Sequence, residues 1–267
     1  MTEQTKGFAL ITGASAGIGA AYADRLARRG YDLILVARHT ARLQAIAERI
    51  AAETGRKVET VVADLGDRAD LGRVEHILRD DARISLLVNN AGLGPVAPLL
   101  NSNVETMSDV VTLNIDALMR LTYAAAPRFA ERGAGSIINM SSGVAIGPEF
   151  LNGVYSASKA FVLAFSQSLR HELADKGVRI QVVLPGVVAT DSWANNGMPI
   201  ETLPQEMVMS PGVMVDAALS GFDQGEFVTA PSLPDTAQWD TFDQARRALF
   251  QNLSSSSPAA RYGATVA

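Results

Sequence analysis

Phe8-Ala9-Leu10-Ile11-Thr12 runs straight into Gly13-Ala14-Ser15-Ala16-Gly17-Ile18-Gly19, and this stretch decides the architecture. A short, wholly apolar run reads as a strand covered on both faces. The glycines end it abruptly. Good helix formers then fill Ala20 to Arg29, and Gly30 is placed as a C-terminal stop. Strand, glycine turn and helix in this order make the phosphate-binding unit of a dinucleotide fold. Glycine lets backbone approach a pyrophosphate closely, and the helix N-terminus offers unpaired N–H groups with a partial positive charge. The spacing is Gly-x-x-x-Gly-x-Gly rather than the more familiar Gly-x-Gly-x-x-Gly.

The next strand, Asp32 to Ala37, is again nearly all apolar. A site preferring NAD wants a carboxylate near its end, about 20 residues past the glycines, to bind the ribose hydroxyls. This chain instead offers Ala37, then Arg38, His39 and Arg42. A neutral residue followed by arginine suits a 2′-phosphate, which guanidinium binds through paired hydrogen bonds. The residues therefore favour NADP(H), with NAD(H) possible; the bland alternative makes Arg38 and Arg42 solvated surface charges.

Strand-like runs alternate with helical patterns along the rest of the chain. Candidate strands are 8–12, 32–37, 58–63, 84–89, 136–140, 179–184 and 226–230. Helices are expected near 17–29, 40–54, 67–80, 103–131, 154–175, 211–220 and 236–253. Such alternation calls for an α/β, doubly wound parallel sheet of about seven strands with helices on both faces. No boundary or repeat interrupts it, so 1–253 reads as one dinucleotide-binding domain, with a substrate lid at about 187–215 and a mobile tail at 254–267. Ligands of such sheets lie beyond the carboxyl ends of the strands, where the turns at Gly13, Asn90, Ser142 and Pro185 all fall.

The second chemical signal is Tyr155-Ser156-Ala157-Ser158-Lys159, with Ser142 thirteen residues upstream. A phenol has an ordinary pKa of about 10 and is a poor acid or base at neutral pH. On a helix, Lys159 stands on the same face as Tyr155, and a nearby ammonium favours the phenolate. Bringing a phenol from about 10 to near 7 takes about 4 kcal/mol of preferential interaction with its anion. Of the five tyrosines only Tyr155 has a lysine four residues on, in a chain with four lysines. Taken alone, the spacing would also suit a solvated helix face.

Together, Thr12-Gly13-x-x-x-Gly17-x-Gly19, Asn89-Asn90-Ala91-Gly92, Asn114, Ser142, Tyr155-x-x-x-Lys159 and Pro185-Gly186 resemble the short-chain dehydrogenase/reductase family, in order from about residue 6 to 190. The resemblance implies that Tyr155 is the general acid in carbonyl reduction and the base in alcohol oxidation. Ser142 would hydrogen-bond the substrate oxygen. Lys159 would lower the phenol's pKa and bind the nicotinamide ribose, and Asn114 would help hold a water linking Lys159 to solvent. It further implies cofactor contacts from Gly13 through Gly19, including Ser15, Ala16 and Ile18. Asp64 and Leu65 would border the adenine, and Asn90, Ala91 and Gly92 the adenosine and ribose. Pro185, Gly186, Val188 and Thr190 would meet the nicotinamide.

Ser141 competes with Ser142, but neighbours on an extended segment point oppositely, and the thirteen-residue separation selects Ser142; Ser141 is left for backbone or cofactor contacts. Substrate identity is expected in 187–211, where Trp193, Met198, Met207 and Met209 are interrupted by Gly197, Pro199 and Pro204. Thioethers and an indole can line an adaptable apolar pocket, although ordinary lid packing would use the same residues. Leu93, Val144 and Phe150 are further candidates for the pocket walls, with Gly94, Ile146 and Leu151 beside them.

Composition narrows the class. The 267 residues are 48% hydrophobic, enough for a sizeable core, and 23 basic against 28 acidic residues give a net charge of −5. With no basic block, a nucleic-acid partner is not expected. No apolar stretch approaches the ~20 residues needed to span a bilayer, so no membrane partner is expected either. Residues 1–6 are polar and lead into the first strand without room for a signal peptide, and cysteine is absent; both fit a cytoplasmic enzyme. His39, His76 and His171 show no ligand spacing, so no metal is expected. Helix 154–175 is apolar around most of its circumference, which with the family resemblance points to a homodimer or homotetramer through helices near 103–131 and 154–175. The reading is an NADP(H)-dependent oxidoreductase interconverting a small, moderately apolar ketone or aldehyde and its alcohol. The alternative is a catalytically silent, cofactor-sensing protein on the same fold.

Overall fold

The computed structural model describes residues 6–94, 97–151, 153–191, 193 and 199–263. It divides into two compact units, Met1–Pro231 and Ser232–Ala267. The boundary thus falls at 231, and 232–253 belongs with the second unit.

The first unit carries a seven-stranded sheet: β1 (Phe8–Thr12), β2 (Asp32–Ala37), β3 (Val58–Val62), β4 (Ile84–Asn89), β5 (Gly135–Met140), β6 (Val178–Val183) and β9 (Val228–Thr229). Their order is β3-β2-β1-β4-β5-β6-β9, with every neighbouring pair parallel. Alternate side chains of one strand leave on opposite faces. Ala9, Ile11, Leu33 and Leu35 accordingly join one core with α1 (Gly17–Arg28), α2 (Thr40–Thr54) and α7 (Pro211–Gln224). Phe8, Leu10, Ile34 and Val36 join the other, with α3 (Arg68–Asp80), α5 (Leu118–Arg132) and α6 (Gly153–Glu172). This two-sided burial is why the strand sequences are continuous apolar runs rather than alternating ones. The edge strand β3 is half exposed and carries Glu59 and Thr60 outward, as an unpaired sheet edge requires.

Two features depart from the sequence expectation. The long helix at 103–131 is α4 (Val104–Val111) and α5 joined by a π-helical segment, Thr112–Ala117. A two-residue strand β7 (Val187–Val188) pairs in parallel with β8 (Val208–Met209), closing a small second sheet across the 187–211 segment. Among the described residues no helix is long and apolar enough to cross a membrane. The order of the strands reverses between β1 and β4, so the crevice opens there, at their carboxyl ends.

Candidate active site

The glycine turn is built for close approach. Gly13 and Gly17 have φ of +67° and +52°, in the left-handed region that favours glycine. A Cβ on Gly19 would fall 2.2 Å from the Gly13 carbonyl oxygen, so no larger residue fits without moving the backbone. Ala16 sits at the N-cap of α1 and supplies no side-chain cap, and no acid stands in the first turn. With Ser15 and Ile18 half-buried beside it, this end of α1 has the donors and the dipole for a diphosphate.

Thr12 and Asn90 lock the two strands that flank the crevice. The Thr12 hydroxyl donates to Val88 O at 3.3 Å and accepts from the backbone N–H groups of Asn90 and Ala91, both at 3.0 Å. The Asn90 amide donates to Thr12 O at 2.8 Å. Asn90, placed by resemblance against the adenosine and ribose, therefore spends its side-chain N–H on the glycine turn itself.

Ser142, Tyr155 and Lys159 are brought together. Ser142 follows β5, its hydroxyl donating to Pro185 O at 3.5 Å, and Tyr155 lies in the first turn of α6, where the Ser142 hydroxyl is near enough to act on its phenol. Lys159, one turn on, is buried, with Nζ donating to Met140 O at 3.1 Å. Ser141 turns the other way and donates to Lys159 O at 2.7 Å, the backbone role its alternation implies. The electrostatics differ from the sequence expectation. Burial pushes the Tyr155 phenol up to about 12, opposed by its hydrogen bond to Ser142. Burial also lowers Lys159 to about 8. The neighbouring amine therefore does not bring the phenol below its ordinary value, because dry surroundings penalise the charged forms of both groups.

Asn114 lies in the π-helical segment and is buried. Its Oδ1 accepts from Leu93 N–H at 2.8 Å, and its Nδ2 donates to Leu93 O and to Ser158 Oγ, each at 3.1 Å. The Ser158 hydroxyl in turn donates to Tyr155 O at 2.7 Å. Gly92 is wedged here: a Cβ on it would lie 3.0 Å from Asn114 Oδ1 and 3.7 Å from Lys159 Nζ. Beneath the site, Asn89 Nδ2 donates to Thr122 Oγ1 and Asn139 Oδ1, and Asn139 Nδ2 to Ser166 Oγ, all at 3.0 Å. Asn89, Asn139 and Ser158 are outside the set of site residues drawn from the motifs. An asparagine at or next to the end of each of two adjacent, largely buried strands was the available signal, since a buried amide must find partners.

The remaining residues fall around the same edge. Arg38 and Arg42 are exposed, 3.6 Å from the carboxylates of Asp64 and Asp191 respectively. Leu65 is buried behind Asp64. Pro185 O accepts from Gly143 N–H at 2.9 Å, Gly186 is exposed, and Val188 is buried in β7. The Thr190 methyl lies 3.1 Å from where a Gly17 Cβ would be, so the segment after β7 overhangs the glycine turn. Leu93 and Val144 are half-buried beside Asn114 and Ser142. Trp193 is half-buried and its indole N–H donates to Val188 O at 2.9 Å. Phe150 is 78% exposed. Gly197 and Met198 lie outside the described residues.

A profile described as short chain dehydrogenase matches residues 7–199. A short-chain dehydrogenase from Sphingobium yanoikuyae, solved in complex with NADPH, is 47% identical with a TM-score of 0.92, over 95% of this chain and 98% of that one. The bulky-bulky ketone specific alcohol dehydrogenase from Comamonas testosteroni is 42% identical with a TM-score of 0.89, over 97% of this chain and 99% of that one. Among curated proteins, 17-beta-hydroxysteroid dehydrogenase type 3 of Rattus norvegicus is 40% identical over 186 residues, 68% of this chain. This chain spans 60% of that relative's length.

Proposed function

Because the chain belongs to the short-chain dehydrogenase family, and is thus an oxidoreductase of CH–OH groups, we propose that it interconverts an apolar ketone and its alcohol using NADP(H). The observation that carries the reading is the convergence of Ser142, Tyr155 and Lys159, with the phenol and the amine buried and the Ser142 hydroxyl acting on the phenol. When bound, the nicotinamide supplies or accepts the hydride. The chain's own residues manage the oxygen. Charge builds on it as a ketone is reduced, and two hydroxyl donors aimed at one point stabilise that charge. Tyr155 gives up its proton there, and Lys159 stabilises the phenolate that remains. Gly92 and Leu93, held by Asn114, wall the site on the side of β4.

NADP(H) fits the residues present. The turn after β2 offers Arg38 and Arg42 and no acid before His39, and their guanidinium groups are exposed for a phosphate to displace Asp64 and Asp191. The Sphingobium relative's NADPH supports the same choice.

For the substrate we favour apolar bulk on both sides of the carbonyl over a small ketone. The connections that follow β4 and β5, on the carboxyl edge of the sheet, carry Leu99, Leu100, Ile146 and Phe150 exposed, and Met207 is exposed beside β8. An apolar rim suits a ligand of similar character. The names of the Comamonas and Rattus relatives point the same way. We place the substrate lid at 187–215. A homodimer through the α4–α6 face is consistent with the exposed Tyr123 stacked on Phe165, which stacks in turn on Phe161.

The test is an NADPH fluorescence titration followed by turnover on ketones of increasing apolar bulk, with Tyr155→Phe alongside. NADPH binding, turnover rising with bulk and its loss in Tyr155→Phe are the expected results. Binding without turnover across the panel would make the chain a cofactor sensor. No NADPH binding would remove the reading altogether.

A further inference from the structure

A π-helical turn carries more residues than the α-helical turns on either side, so α4 and α5 meet out of register across Thr112–Ala117. Drawing one residue back into α-helix would turn one flank by about 100° and shift it by about 1.5 Å against the other. Asn114 sits inside the widened turn, where its amide makes the bonds to Leu93 and Ser158. Something must hold both flanks. They rest on different partners: α4 packs on α6, and α5 packs on α3. Leu71, Val74 and Leu78 of α3 share a core with Leu121 and Ala125 of α5. Such burial is non-directional and does not by itself fix how far α5 is rotated.

A buried carboxylate lies between those two helices. Glu75 of α3 is only 6% exposed, and it accepts from Arg120 Nε at 2.5 Å and from Arg79 of its own helix. Arg120 lies in the first turn of α5, just past the π-helical segment. Two further ties run the same way. Arg68 Nη1 of α3 is 3.4 Å from Asp116 Oδ2 within the segment, and Arg128 Nε of α5 donates to Arg79 O at 2.7 Å. Arg68 and Asp116 are more exposed than Glu75 and hold less. Glu75 cannot follow a departing partner into water, so a rotation that withdrew Arg120 would strand a buried charge on Arg79 alone. Packing does not need a charge here, since apolar side chains of similar volume often replace a buried ion pair at no cost. What the carboxylate adds is direction.

We propose that Glu75, acting through Arg120, is a positioning residue for the active site. It fixes the rotation of α5 on α3 and so preserves the widened turn that presents Asn114 to Leu93 and Ser158. The effect on turnover rests on the reading of this chain as a ketone reductase; the effect on the turn does not.

Amide hydrogen exchange and steady-state kinetics on two full-length variants test this. Glu75→Met removes the charge and keeps most of the volume. Arg120→Met breaks the same pair from its half-exposed side and leaves Glu75 with Arg79, so it decides the matter if Glu75→Met does not fold. The Leu93 N–H donates to Asn114 Oδ1, and its exchange therefore reports the widened turn directly. In each folded variant Leu93 should exchange about tenfold faster, the scale of one lost hydrogen bond, while the amides of β1 keep their wild-type rates. With that change, kcat for the ketone should fall about tenfold and KM should move by less than about threefold. Unchanged Leu93 exchange, or Leu93 and β1 amides accelerating together, overturns the proposal, because a merely stabilising ion pair gives no selective effect. Faster Leu93 exchange with kcat intact overturns it as well. Wild type that turned over no ketone would remove the functional reading instead, and Leu93 exchange would still decide whether Glu75 holds the turn.

Discussion

The Lys159 ammonium lies 5.8 Å from the centre of the Tyr155 ring while donating to the Met140 carbonyl at 3.1 Å, so two titratable groups share one dry volume. Burial lowers Lys159 to about 8 in the folded chain, against 10.5 when unfolded. Between those values the unfolded chain binds more protons, so stability rises with pH from about 8 to about 10.5. Below about 8 the full cost of burying the cation is present. Tyr155 acts oppositely: it keeps its proton to about 12 when folded, and so removes stability between about 10 and 12. Lys159→Met should therefore be more stable than wild type at pH 7 by about 1–3 kcal/mol. Urea unfolding across pH 7–10.5 should show that gap closing as pH rises. A constant gap would mean that Lys159 does not titrate in this window.

Tyr155→Phe should lower kcat for ketone reduction by roughly 10²–10⁴, the range for loss of a general acid. Ser142→Ala should cost about 10²–10³, as for one donor to a developing oxyanion, with NADPH affinity kept within a few-fold. The serine's second effect is on the phenol, because its hydrogen bond opposes the upward push of burial. In Ser142→Ala the rise of the alcohol-oxidation rate with pH, which follows deprotonation of Tyr155, should consequently move to higher pH. A rise that stays in place would separate Ser142 from the titration of Tyr155.

The sheet was legible because each central strand is buried on both faces, and Leu33-Ile34-Leu35-Val36 can hardly be anything else. The short β7–β8 pairing was not, since two residues carry no periodicity and owe their conformation to their neighbours; β9 by contrast falls inside the strand expected at 226–230. The π-helical segment was hidden for a related reason. Thr112-Leu113-Asn114-Ile115-Asp116-Ala117 keeps a helical apolar rhythm, and the widened turn coincides with Asn114's bonds to Leu93 and Ser158, distant in sequence. At the site, Tyr155 and Lys159 could be paired by spacing. The sign of the phenol's shift could not, because it depends on how dry the pair is.

The turn after β2 gives a cofactor prediction. Replacing Ala37 by Asp and Arg38 by Ser supplies a carboxylate for ribose hydroxyls and removes one charge-assisted phosphate contact, each worth ~1.5–3 kcal/mol. The ratio of kcat/KM with NADPH to that with NADH should fall by at least about tenfold. Arg42→Gln, which leaves Arg38 in place, should lower the ratio less. An unchanged ratio in the double variant would make these arginines ordinary surface charges.

Asn114 offers the sharpest separation of positioning from packing. Its amide satisfies Leu93 N–H, Leu93 O and Ser158 Oγ from inside the π-helical segment. Asn114→Ala leaves these groups without it, and each unsatisfied buried polar group costs about 1–3 kcal/mol, so unfolding free energy should drop by about 2–4 kcal/mol. The Leu93 amide should then exchange its hydrogen faster than amides of β1 in the same protein. If Asn114 also positions Lys159 through Gly92 and Ser158, kcat should fall under conditions where the variant is fully folded, with KM for the ketone changing less. A loss of stability with kcat intact would confine Asn114 to holding the wall of the crevice.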